Sequence, residues 1–146
     1  MATLEVYNNQ REEVISDDLL EKLSSCGNLA LPLAIENPAH GGGVIADIEE
    51  VEISIVSDEV IAQVHQDFMG IAGATDVITF AHGEIVISAQ TAREFAEKYE
   101  NSFEKELMLY IIHGLLHLAG HEDADPHERK AMEEIQVRIL EQVWSV

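Results

Sequence analysis

Three histidines fall within nine positions of an apolar run, HGLLHLAGHED at residues 113–123, and the run closes on two carboxylates. Imidazole nitrogens and carboxylate oxygens are the donors that divalent transition metals take. On a helix, His113 and His117 lie on one face about 6 Å apart along the axis, so both rings can converge on one ion at about 2.0–2.1 Å per bond. A pair of hydrogen-bonded core histidines has the same spacing, so the pair alone does not decide the matter. The next residues add weight to a metal: Gly120 lets the chain leave the helix through a left-handed turn, after which His121, Glu122 and Asp123 can swing back toward the two rings. Three protein donors leave an open fourth position, the mark of a catalytic zinc. Peptidase chemistry of the H-E-x-x-H kind fails, because the place of its glutamate is taken by Gly114. Gly114 is expected either to clear space for substrate or to allow close helix packing.

The elements that must carry these residues are legible as periodicities. TLEVY (3–7) and IEEVEISIV (48–56) alternate as strands, and TDVITF and GEIVIS, separated by Ala81 and His82, read as a hairpin. Helices are expected from Ser16 to about Ser25, from Ser57 to Gly70, over TAREFAEKYEN, over SFEKELMLYIIHGLLHLAG, and from Pro126 onward. ENPAHGGG (36–43) reads as a loop. Leu107, Tyr110, Ile111, Leu115 and Leu118 give the histidine helix a wide apolar face suited to the core. This order describes one α/β or α+β domain over residues 1–146 with a small mixed sheet and several helices.

Charge bounds the partners. The 146 residues hold 28 acids against 8 lysines and arginines, for a formal net charge of −20. Such a field repels nucleic-acid backbones at long range. The single cysteine, Cys26, cannot form an intramolecular disulfide and is expected as a buried small hydrophobe. No run approaches the roughly 20 apolar residues of a membrane span, the N-terminus lacks the pattern of a secretory signal, and a cytoplasmic location is expected. His65 and His82 lack partners at ligand spacing and are expected at the surface or as satisfied core residues.

HGLLHLAG, the acidic turn after it, and the upstream TDVITF and GEIVIS together resemble the YbeY family of bacterial rRNA maturation factors, single-strand-specific metallo-endoribonucleases. That family's pattern is H-G-x-L-H-L-x-G-Y-D-H, preceded by T-D-V-L-S-F-P and G-D-I-x-I-S. The resemblance implies a compact, metalloprotease-like α/β fold, one Zn2+ per chain, and work on 16S rRNA 3′-end maturation and ribosome quality control. It also implies rRNA or the ribosome as partner, with a ribosomal protein as a further one. His113 and His117 match the family's first two histidines, but without gaps the third falls on Asp123, while His121 stands where the family has tyrosine. Asp123 is the expected third ligand, His121 the alternative and His127 a more distant one; two histidines with a carboxylate also suit iron(II). Met69 replaces the family's arginine before Gly70, and Ala81 replaces its proline. Thr75 and Asp76 match motif residues and are expected to line the substrate cleft with Met69 and Gly114, or Asp76 to orient a ligand histidine. A turn role for Thr75 and Asp76 is the plain alternative.

The first functional expectation is therefore a metal-dependent endoribonuclease, with no general base identifiable. Its alternative is a ribosome-assembly binding protein whose metal is structural and whose catalysis is weakened or lost. A hydrolase acting on some other substrate suits the acidity better than either. A neutral or basic groove at the metal favours RNA, and an acidic one argues against it.

Overall fold

The computed structural model describes residues 2–144. In chain order it contains β1 (Thr3–Asn8), α1 (Asp17–Ile35), a short 3-10 turn (Ile45–Asp47), β2 (Glu50–Val56), α2 (Asp58–Met69), β3 (Val77–Thr79), β4 (Glu84–Ser88), α3 (Ala89–Lys98), α4 (Phe103–Leu118) and α5 (Pro126–Val143). The sheet runs β1-β2-β4-β3, with β1, β2 and β4 parallel and β3 antiparallel to β4. This is the mixed α/β arrangement that the periodicities predict, and the expected hairpin is the β3–β4 pair. Side chains of Ser16, Ser57, Ser88, Ser102 and Asp125 cap the five helices by accepting backbone N–H bonds. A helix's first N–H groups have no partner inside the helix, which is why small oxygen-bearing residues stand there.

α1 runs ten residues past the expected end at Ser25, through Gly27 and Pro32, both of which read as breakers. Burial overrides propensity here: Leu23, Cys26, Gly27, Ala30, Leu31 and Ala34 form one continuous buried stripe. Gly27 is required by contact, because a Cβ there would sit 2.6 Å from Leu4 Cδ2. The Asn28 side chain accepts from the Leu4 N–H at 2.9 Å and donates to its carbonyl at 2.8 Å, so α1 covers the edge strand β1. Cys26 is buried, as expected, and its thiol donates to the Val143 carbonyl.

α4 is the central helix. Leu107, Met108, Ile111, Ile112, Leu115 and Leu116 on it are fully buried, each contributing about 1.5–3 kcal/mol relative to exposure. The helix lies against β3 and β4 and is flanked by α1, α3 and α5. Gly114 faces the sheet, and a Cβ on it would lie 2.7 Å from Ile85 Cγ2. Close packing is therefore the role that the structure gives Gly114, away from the edge of α4 that carries the histidines. Replacing Gly114 by Val should lower stability by about 1–3 kcal/mol through overpacking, read as a lower urea midpoint at unchanged m-value.

Candidate metal centre

His113 and His117 stand on the partly buried edge of α4, with the two ring centroids 4.5 Å apart and the planes nearly perpendicular at 86°. The Nδ1–H of His113 donates to Gln136 Oε1 on α5 at 2.9 Å, and the Nδ1–H of His117 donates to the His121 carbonyl at 2.9 Å. A carbonyl oxygen can only accept, so each ring carries its proton on Nδ1 and points an Nε2 lone pair inward. The two Nε2 atoms lie 3.0 Å apart, and Asp123 Oδ2 lies 3.3 Å from the first and 3.6 Å from the second. Three acceptors gathered in this way have no proton to share among neutral rings and fit a cation between them. Donors held about 2.0–2.1 Å from a tetrahedral ion are roughly 3.3 Å apart, so the observed spacings match a zinc-sized ion. Burial and the neighbouring His113 push the His117 imidazole below its ordinary pKa, while Asp123 opposes them. The ring is thereby kept in the neutral form that a metal takes.

The exit from α4 places the third member. Gly120 has φ 96°, and a Cβ there would lie 2.3 Å from the Gly42 carbonyl oxygen. The glycine-rich loop packs over the helix end, with the Ala39 and Val44 N–H groups donating to the carbonyls of Ala119 and Leu118. The chain can turn this tightly only without a side chain at Gly120. His121, the alternative third ligand, is buried, and its Nε2–H donates to the Asn37 carbonyl at 2.7 Å. It stands outside the cluster that His113, His117 and Asp123 form, whose donor atoms lie within 4.8 Å of one another. His127 is exposed on the first turn of α5.

A cleft of about 420 Å3 opens over the three donors, walled by His65, Met69, Thr75, Asp76 and Glu122 among others. Of the expected cleft residues, Met69, Thr75 and Asp76 line it and Gly114 does not. Asp76 Oδ1 accepts from the Val77 N–H at 2.8 Å and from the Thr75 hydroxyl at 3.3 Å, so the strand-opening turn and the cleft wall are one feature. Two residues escape sequence reasoning. Gln136 sits on a helix face with no motif; only i, i+4 spacing to Met132, with which it faces α4, hints at it. His65, expected at the surface or in the core, lines the cleft and donates its Nδ1–H to the Gly73 carbonyl at 2.9 Å.

Fold and site together are those of an α/β protein that presents two imidazoles and a carboxylate on the floor of an open cleft. The sequence profile of the family described as Endoribonuclease YbeY matches residues 7–144, and the chain belongs to that family. It is similar to Endoribonuclease YbeY of Thermotoga maritima, 37% identical over 107 residues that cover 68% of this chain and 71% of the relative. Endoribonuclease YbeY of Bacillus subtilis is 34% identical over 116 residues, 66% of this chain and 74% of the relative. The solution structure of TM1509 from Thermotoga maritima matches with a TM-score of 0.65 at 31% identity, covering 97% of this chain and 89% of that one.

Gln136→Leu removes the acceptor that fixes the His113 tautomer. It should weaken zinc binding by roughly 10–100-fold at near-unchanged helix content, measured by competition with a chromophoric chelator.

Proposed function

We propose that the protein is a metal-dependent, single-strand-specific endoribonuclease of the cytoplasm, acting in 16S rRNA 3′-end maturation and ribosome quality control. In this reading one Zn2+ is held by His113, His117 and Asp123. The observation that carries it is the convergence of two Nε2 lone pairs and a carboxylate oxygen beneath an open cleft, in a member of a family described as endoribonucleases. When bound, the ion supplies Lewis-acid polarisation of a phosphoryl oxygen and makes water acidic enough to act near neutral pH. An open cleft admits an unpaired strand, whose scissile phosphate can reach the donors without a duplex having to fit.

The chain's own residues divide the rest of the work. Gln136 and the His121 carbonyl hold the two rings in the donor tautomer. His65, on the cleft wall, donates Nδ1–H to the Gly73 carbonyl, and in this reading its Nε2 is the group that would carry a proton for the reaction. Among the described residues, no lysine or arginine lines this cleft. Phosphate contact there depends on the ion rather than on basic side chains. The acidic walls, with Met69 in place of a base, favour a second reading: a ribosome-assembly protein, bound to rRNA or a ribosomal protein, whose metal is structural.

Cleavage of a single-stranded 16S 3′-end substrate should be abolished by chelation and by His117→Ala, with circular dichroism unchanged for the variant. Cleavage that survives both overturns the reading, and loss of thermal stability on chelation with no cleavage by the zinc-loaded protein supports the second one. His65→Gln should slow cleavage by roughly 100-fold or more while zinc affinity stays at the wild-type value, separating proton transfer from metal binding.

A further inference from the structure

A second chamber, of about 220 Å3, opens beside the histidine pair between α4 and α5, with Asp76, Glu106, Tyr110, His113, Asp123 and Gln136 in its lining. Glu106, Tyr110, His113 and His117 follow one another at spacings of four, three and four, so a single face of α4 carries both the donors described above and this chamber's wall. Glu106 is 8% and Tyr110 6% exposed, yet Glu106 Oε2 and the Tyr110 hydroxyl have no hydrogen-bond partner. Buried polar atoms are almost always paired, and an unpaired carboxylate oxygen is among the costliest to bury. Burial raises the Glu106 pKa, and the nearby charge of Asp76 adds to the rise against an Asn101 hydrogen bond and Lys105. Burial and the same acids raise that of Tyr110, which stays a neutral hydroxyl. Two carboxyl groups that repel each other across a polar chamber, one of them with an oxygen unspent, offer a cation a place to bind. Arg129 also lines the chamber but is exposed, and no ion pair joins it to either acid among the described residues.

We propose that Asp76 and Glu106, with the Tyr110 hydroxyl, form a second cation site that takes a hydrated Mg2+ or Mn2+ beside the histidine-held ion. All three donors are oxygens, which hard cations prefer and zinc does not require. Two carboxylates with retained waters are the usual protein share of a magnesium site. Asp76 commits Oδ1 to Val77 and Thr75, which fixes its carboxylate between the cleft and the chamber. An ion there sets positive charge against cleft walls that hold no lysine or arginine among the described residues; this use in holding RNA phosphate rests on the endoribonuclease reading, whereas the site itself does not.

The test is Mn2+ binding to the full chain already loaded with one zinc, which Mn2+ does not displace because it binds nitrogen donors more weakly. At moderate salt, electron paramagnetic resonance of free Mn2+ should report one added ion per wild-type chain, and paramagnetic broadening in NMR spectra should centre on Leu109 and Tyr110. Glu106→Gln and Asp76→Asn should each weaken that ion at least tenfold. The proposal is overturned if zinc-loaded wild type takes up no such ion, if broadening spreads over the acidic surface and spares Tyr110, or if folded Glu106→Gln binds as wild type does. The wild-type spectra decide the matter even if both variants fail to fold. Mn2+ bound at Tyr110 without RNA cleavage upholds the site and counts against the nuclease reading; cleavage without that Mn2+ does the reverse.

Discussion

Two imidazoles that have each given their Nδ1 proton to a fixed oxygen can only meet lone pair to lone pair, and at 3.0 Å that meeting needs positive charge. The constraint reaches outward from the rings. One oxygen belongs to Gln136, so α5 must lie where it does; the other is the His121 carbonyl, so α4 must end and turn where it does. That turn in turn depends on Gly120 having no side chain and on the 39–44 loop sealing the helix end. The central helix can serve as the floor of a cleft because the adjacent side is pressed into the sheet at Gly114 and Ile85. Packing and chemistry thus occupy different faces of one helix, and neither has to compromise the other.

Electrostatics sets the second constraint. The chain carries a net charge of −20, and the cleft over the donor group does not depart from it: Asp76, Glu122 and Asp123 line it and no lysine or arginine does. In a cleft of this kind no lysine or arginine offsets the field of the acids. Met69, standing where the resemblance places arginine, belongs to the same pattern and is 56% exposed at the rim.

How much of this was legible in the sequence depends on how local each cause is. His113 and His117 are readable because helix geometry alone places them together. Asp123 is readable only by counting across a turn; the reason that His121 stays outside the cluster, a bond to Asn37, lies 84 residues away and has no trace in local pattern. The strands and the hairpin are set by alternation, whereas the parallel pairing of β1, β2 and β4 is settled by the helices that connect them. The full length of α1 is not, because Gly27 and Pro32 argue locally against a helix that the core holds in place globally. Gln136 and His65 are ordinary helix residues until tertiary structure brings them to the site. Tyr110 reads as one more apolar position of α4, and its unpaired hydroxyl emerges only when the neighbouring elements are in place.

The bond between His121 and Asn37 has a consequence for how the molecule comes together. It ties the segment just after α1 to the turn whose carbonyl aligns His117, and Gln136 adds a tie from the last helix. These parts lie between residues 37 and 136, so the donor cluster exists only once segments far apart in sequence have come together. An ion that recognises it therefore recognises the finished fold, and at 100 times its dissociation constant would add about 2.7 kcal/mol to the native state. Such an ion would act as a latch on the completed chain, and mis-assembled copies would compete poorly for it.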